Sequence, residues 1–288
     1  MISNPKIESV LFDDWHVVAD NAWIQQAAAP YRTRLFGVPI EIAAASDGSS
    51  RVRRLDGGTA PAVAVKYGFV WVCLGVPRQD IMHVPEADEP DRFVLTSGSF
   101  GVAVSGLRAV ENFLDMGHFP YVHDGWLGAE PHTEVLPYDV AADDQGVVAT
   151  NCKFLQPLAS PASPDGSMVD YVYKIPRPYT VVLYKSNPLY PDRMDYIALF
   201  VQPVDEDNCV AHMLVCYLKE GMTPAILRWF IQLIFAQDKP ILENQHPRRL
   251  PLDPRAETPI QADRSSIAYR RWLINQGVVY GAIPAATH

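Results

Sequence analysis

The chain has 288 residues, 48% of them hydrophobic and 20% charged, enough to bury a sizeable core in one large domain or two small ones. A formal net charge of −9 argues against nucleic acid as a partner. The four cysteines, Cys73, Cys152, Cys209 and Cys216, form no C-x-x-C pair. That argues against a disulfide scaffold or zinc knuckle and sets a reducing cytoplasm as the expected compartment.

The opening stretch, "MISNPKIESVLFDDWHVV", has no basic region followed by an apolar run, so no signal peptide is expected. No segment reaches the roughly 18 uncharged apolar residues of a membrane-crossing helix. Over residues 1–78, "RTRLFGVPIEIAAAS" and "VAVKYGFVWVCLG" are rich in β-branched and aromatic residues and bounded by turn formers, which predicts strands. The segment between them, "DGSSRVRRLDGGTAP", reads as a polar loop, and "VPRQDIMHVPEADEPD" as a linker with three prolines. Residues 94–110 return to strand-like alternation and 111–123 have helical composition. From 133 to 220 the runs "VVATNCKFL", "MVDYVYKI", "YTVVLYKS", "DYIALFVQPV" and "CVAHMLVCYL" predict an antiparallel sheet. "TPAILRWFIQLIFAQDKPILENQH" then predicts a long apolar helix with Thr223 as N-cap and Pro224 at its first position. A shorter helix is expected at about 261–276. The fold class is α+β.

The chemistry concentrates in "ENFLDMGHFPYVHDGWLG", residues 111–128. On a regular helix His123 stands about 140° around the axis from His118, so both rings reach one metal ion only if the helix breaks or widens between them. Gly117 and Pro120 lie in or beside that interval, and Pro120 has no N–H to donate to the carbonyl of Met116. Two surface histidines on a polar helix are the commoner meaning of such a pair. Against that, Phe113, Leu114, Phe119, Tyr121 and Trp126 surround it, and polar groups among so many apolar ones need partners or a metal.

"ENFLDMGHFPYVH" resembles the E-N-x-x-D-x-x-H-x-x-x-x-H motif of Rieske non-haem iron oxygenase catalytic subunits at every defined position. The resemblance implies a two-histidine, one-carboxylate site for mononuclear Fe(2+), with open positions for dioxygen and substrate. It assigns the metal to His118, His123 and Asp238, the last in "IFAQDKPILENQHP", with Glu243 and Asp115 as alternative carboxylates. Asp115, with Asn112, is expected beside the site, where Asp115 accepts the other ring N–H of His118.

That family also carries an N-terminal domain whose 2Fe–2S cluster needs C-x-H and C-x-x-H. Residues 1–78 hold only His16 and Cys73, although "DDWHVVA", "YRTRLFGVPIEI" and "VKYGFVWVCLG" resemble that domain's strands. The resemblance therefore implies a degenerate Rieske-like β domain over 1–78, without cluster ligands, and a catalytic helix-grip domain over 79–288, a long antiparallel sheet around a C-terminal helix. Electrons would come from a separate Rieske-containing reductase or companion subunit, with NAD(P)H acting only through it.

The resemblance extends to the methylxanthine N-demethylase branch, in particular its 7-position subunit that lacks a Rieske centre. That implies 7-methylxanthine, a small purine, as substrate, with xanthine and formaldehyde as products, and a homotrimer or hetero-oligomer as assembly. Tyr171, Tyr173, Tyr184, Phe200, Phe230 and Gln232 are the candidate substrate contacts. Two rivals stand beside this reading. One is a family oxygenase acting on another aromatic substrate, where an acid would call for an arginine such as Arg177 or Arg228. The other is a non-catalytic binding subunit.

Overall fold

The computed structural model describes residues 7–158, 166–219 and 221–285; residues 1–6, read above for a leader, and 159–165, within the expected run of strands and turns, lie outside them. Two short helices, α1 (Ser9–Phe12) and α2 (Asn21–Gln26), flank the first strand, β1 (His16–Asp20). Then come β2 (Tyr31–Leu35), β3 (Val38–Ala44), β4 (Ser50–Arg54), β5 (Ala62–Lys66) and β6 (Phe69–Cys73). They form two three-stranded sheets, β1-β6-β5 and β2-β3-β4, all pairs antiparallel.

The expected loop at 47–61 is thus partly strand. Its charges alternate with Ser50 and Val52, which turn inward, while Arg51 and Arg53 face water. Arg53 and Arg32 both reach Glu41 on the strand between them. An edge strand with one wet face is polar at every second residue, so its composition imitates a loop.

The second part is built on a seven-stranded antiparallel sheet, ordered β7-β13-β12-β11-β10-β9-β8. In chain order these are β7 (Arg92–Val102), α3 (Gly106–Leu114), the one-turn α4 (Phe119–Val122), β8 (Asp139–Asp143), β9 (Gly146–Gln156), β10 (Ser167–Arg177), β11 (Thr180–Asn187), β12 (Tyr190–Pro203) and β13 (Cys209–Leu218). Residues 106–110, expected as strand, form the start of α3, where Ser105 caps the helix by accepting from Leu107 N–H. The long helix α5 (Pro224–Glu243) follows, then β14 (Leu250–Pro251), α6 (Arg264–Asn275) and β15 (Ala282–Ile283). Thr223 Oγ1 accepts from Ile226 N–H at 3.3 Å and Pro224 opens α5, as its composition predicts. Leu227, Phe230, Ile231, Phe235, Asp238 and Leu242 are its buried residues, a stripe at helical spacing that lies toward the sheet.

Both faces of the large sheet are covered. One face carries α3 and α5. The other packs Val182, Tyr196, Ala198, Phe200, Leu214 and Cys216 against Val17, Phe69 and Trp71 of the β1-β6-β5 sheet. Ile81 and Val84 of the proline-bearing linker join the same cluster. The N-terminal sheets share the main core as well: Leu35, Phe36, Ile40 and Ile42 are buried in the cluster that holds Leu107, Phe230 and Tyr269. All four cysteines are buried and free, and burial pushes their thiols up, Cys73 to about 11 and Cys152, Cys209 and Cys216 to about 12. Among the described residues no helix is long and apolar enough to cross a membrane.

Candidate metal centre

Helix α3 ends at Leu114 with Asp115 as its C-cap, and α4 spans the four residues between His118 and His123. The helix therefore breaks before His118, and the second helical turn ends at His123. With backbone angles of φ −112°, ψ 34°, His123 leaves the helical path that would have carried its ring away from His118. The turn after it folds back on α4: Trp126 and Leu127 N–H both donate to His123 O. Gly128 lies so close that a Cβ there would meet Pro120 N at 2.8 Å.

Three donor atoms converge here. His118 Nε2 and His123 Nε2 are 3.1 Å apart, and Asp238 Oδ1, from α5, is 3.2 Å from the first and 3.1 Å from the second. Each imidazole is tied by its far nitrogen. Asp115 Oδ2 lies 3.1 Å from His118 Nδ1, and Gln237 Oε1 lies 2.9 Å from His123 Nδ1. Since carboxylate and amide oxygens accept, both Nδ1 atoms carry the proton and both Nε2 lone pairs point at the centre. Two bare lone pairs and a carboxylate oxygen at such a separation repel one another unless a cation or proton stands between them. Asp238 Oδ1 is buried and has no hydrogen bond of good geometry, which fits an atom meant for a cation.

The edge lengths also carry information. At metal–donor bonds of roughly 2.2 Å, neighbouring octahedral donors stand about 3.1 Å apart and tetrahedral ones about 3.6 Å. The observed triangle matches one face of an octahedron, and its donors are the two-histidine, one-carboxylate set suited to iron(II). Without the ion, burial pushes the His118 imidazolium down, but the Asp115 and Asp238 carboxylates beside it outweigh that and lift it to about 9. Burial raises Asp238, and the two histidines more than reverse it, to about 2.

Among the described residues His118, His123 and Asp238 are the cluster able to hold a metal. Glu243 is not part of it; its Oε1 accepts from Ala103 N–H at 3.0 Å and is paired with Lys239. Asp115 faces the far side of His118, and its Oδ1 accepts from Gly117 N–H at 2.7 Å. His16 and Cys73 form no second cluster: His16 is buried, bonded to Leu11 O and edge-on to Phe36.

The triad lies at one end of a hollow between the sheet and α5, of about 640 Å³ including its open mouth. Tyr171, Tyr173 and Phe230 line it, as does Asn112, while Tyr184, Phe200 and Gln232 do not. The reason is the pleat. Tyr171 pairs with Lys185 and Tyr173 with Leu183, so these four share the α5 face, whereas Tyr184 pairs with Val172 and Tyr196 and takes the opposite one. Phe200 likewise packs on Trp71 at 4.8 Å on the far face. Gln232 is exposed on α5.

Neither arginine proposed for an acidic substrate lines the hollow. Arg177 is buried against Asp14 and Asp80 O, and Arg228 Nε bonds Thr96 O at the surface. Sequence reasoning did not single out Lys185, Met213, Ile231 or Phe235, which do line it. The helical spacing of Phe230, Ile231 and Phe235 with Asp238 was the signal available for the α5 members. Asn112 also borders a second, polar hollow on the other side, lined by Arg108, Glu111, Asp115, Glu257, Asp263 and Arg270.

Residues 103–276 match the family described as the vanillate O-demethylase oxygenase C-terminal domain. The chain is 45% identical over 275 residues to the probable methylxanthine N7-demethylase NdmC of Pseudomonas sp. (strain TJI-51), covering 95% of this chain and 97% of that protein. It is 26% identical over 216 residues to the methylxanthine N3-demethylase NdmB of Pseudomonas putida, covering 72% of this chain and 58% of that protein. Among solved structures, NdmB of Pseudomonas putida CBB5 superposes with a TM-score of 0.72 at 21% identity, over 93% of this chain and 92% of that one. Dicamba monooxygenase bound to dicamba superposes with a TM-score of 0.71 at 14% identity, over 92% of this chain and 97% of that one. At these identities the structural likeness is one of fold.

Proposed function

We propose, from the premise that this chain belongs to the Rieske non-haem iron oxygenase family by its vanillate O-demethylase-type C-terminal domain, that it is an oxygen-dependent N-demethylase of a methylxanthine. The substrate assigned is 7-methylxanthine, converted to xanthine and formaldehyde. The observation that carries the reading is the triangle of His118, His123 and Asp238 set at the end of an apolar hollow. The 45% identity to a probable N7-demethylase along nearly the whole chain supports the position of demethylation.

His118, His123 and Asp238 would hold one Fe(2+) ion, which when bound would supply dioxygen activation, with both electrons of each turnover coming in the end from an external donor. Every other part falls to the chain's own side chains. Asp115 and Gln237 fix the tautomers that aim both Nε2 atoms inward. Phe230, Ile231, Ile234 and Phe235 keep that end of the hollow dry and offer a flat heterocycle an apolar wall. Tyr171 and Tyr173 close it from the sheet.

Residues 1–78 are read as a Rieske-like β domain that keeps its strands without a cluster, and 79–288 as the catalytic domain. A cluster-bearing reductase or companion subunit would then deliver electrons beside Asp115, whose side chain is 34% exposed and touches His118. The test is formaldehyde release from 7-methylxanthine by iron-loaded protein with a Rieske reductase and NADH, after measuring iron and acid-labile sulfide per chain. About one iron, no sulfide and donor-dependent formaldehyde are expected. Stoichiometric sulfide would end the borrowed-electron reading, and turnover of 1- or 3-methylxanthine alone would end the N7 assignment.

A further inference from the structure

Lys185 stands out in the hollow. It is 3% exposed, on the inner face of β11, in a lining otherwise made mostly of aliphatic and aromatic side chains. Lysines are almost never buried to this degree unless paired. An opposite charge lies in register: Asp195 on β12 stands opposite Lys185, is itself 2% exposed, and feels the lysine's positive charge. Asp195 is held in place by Leu218 N–H at 2.8 Å and by Asn187 Nδ2 at 2.9 Å. On the other side Lys185 lies opposite Tyr171, with its ammonium 6.0 Å from the centre of that ring. The Tyr171 ring in turn sits 6.2 Å from Phe119, the residue next to His118. The ammonium therefore stands on the sheet side of the hollow, beyond the aromatic residues that flank the metal triad.

Opposite charges buried near one another are weak evidence for stability, since apolar residues of similar volume often do as well or better. The placement of Lys185 in an apolar hollow shared with the metal triad points to recognition instead. We propose that Lys185 is a specificity-determining residue, donating a hydrogen bond from its ammonium to a ring carbonyl oxygen of the substrate while the methyl group to be removed lies toward His118 and His123. The inference rests on the methylxanthine reading and deepens it. Asp195 also has the buried Arg92 Nη1 4.0 Å from its Oδ1, and Arg92 in turn pairs with Glu89 at 2.9 Å, so two carboxylates balance the two cations and the site offers a strong donor without a surplus positive charge. That chemistry suits the neutral oxygen of an oxopurine and disfavours a full carboxylate, which would bury an unbalanced negative charge.

The experiment is calorimetric binding to anaerobic, iron-loaded full-length protein, which needs neither turnover nor an electron donor. Ligands are 7-methylxanthine, its analogues lacking either the C2 or the C6 oxygen, and 4-methoxybenzoate. Lys185→Met is expected to weaken 7-methylxanthine at least tenfold, with Lys185→Arg recovering part of the loss. One of the two analogues should bind the wild type as weakly as the Met variant binds 7-methylxanthine, and should lose nothing further in that variant.

Equal affinities in wild type and Lys185→Met, or losses that simply add, overturn the inference and leave the demethylase reading intact. Lysine-dependent binding of 4-methoxybenzoate in preference to the purines overturns it in favour of a carboxylate pocket. If no methylxanthine binds the wild type, the demethylase reading falls and this inference with it. Should the Met variant fail to fold around an Asp195 that has lost the lysine's charge, the double variant Lys185→Met/Asp195→Asn gives the same comparison.

Discussion

His212 shows how a single buried side chain ties stability to pH. It is 2% exposed on β13, and burial pushes its imidazole down to about 3. Ser99 Oγ lies 2.8 Å from Nδ1 and Gln202 Oε1 lies 3.2 Å from Nε2, while Gln202 Nε2 donates to Thr33 Oγ1 and Arg34 O in the N-terminal sheet. The neutral ring is thus one link in a polar thread between the two parts of the chain. The unfolded chain binds a proton at His212 below pH 6.5 and the folded chain does not until about pH 3. Stability is therefore lost as pH falls through that window, by at most about 1.4 kcal/mol per pH unit. His212→Gln should lower the urea midpoint at pH 7.5 but flatten its fall between pH 6.5 and 4.5. A slope equal to that of the wild type would remove His212 as its source. His16, also lowered by burial, leaves a residual slope of the same sign.

Among the elements, α4 decides whether the triad forms. It is one turn long, and the loop behind it touches its backbone at Gly128, where a methyl group would meet Pro120 N at 2.8 Å, Pro120 Cα at 2.9 Å and Phe119 C at 3.0 Å. All three are main-chain atoms and cannot swing aside, so the strain of Gly128→Ala would move α4 and both histidines. Iron(II) affinity should fall tenfold or more, while the thermal midpoint of the metal-free protein shifts by only a few degrees. An unchanged iron titration would show that the loop, and not α4, absorbs the strain. Much of this site is legible in the chain because its parts are local: the two histidines, Asp115 and the end of α3 lie within ten residues, and α5 announces itself by Thr223, Pro224 and a regular apolar stripe. What is not legible depends on register. Tyr171 and Tyr184 read alike, each in a run of strand formers, and only the pairing of β10 with β11 sends them to opposite faces. Lys185, between Tyr184 and Ser186, looks like an ordinary outward-facing lysine until the sheet's inner face is known.

At the scale of the whole molecule, the N-terminal sheets do a structural task whether or not they ever held a cluster. The β1-β6-β5 sheet covers the face of the large sheet that carries Val182, Tyr196, Ala198, Phe200, Leu214 and Cys216, a strip too apolar to leave in water, and β2-β3-β4 joins the main core. A chain cut to 79–288 should therefore be insoluble or associated, as read by analytical sedimentation, even though it contains the complete triad. A soluble, monomeric fragment that still binds iron would show that the cover is dispensable. The four thiols add a consequence of their own. Cys73 sits in the covering sheet, Cys152 toward one edge of the large sheet, and Cys209 and Cys216 at opposite ends of β13. None can react with a water-borne reagent while folded, both because they are buried and because their raised pKa values keep them as thiols at neutral pH. The order in which they become labelled is thus a clock for the molecule's openings, recording which layer lifts first.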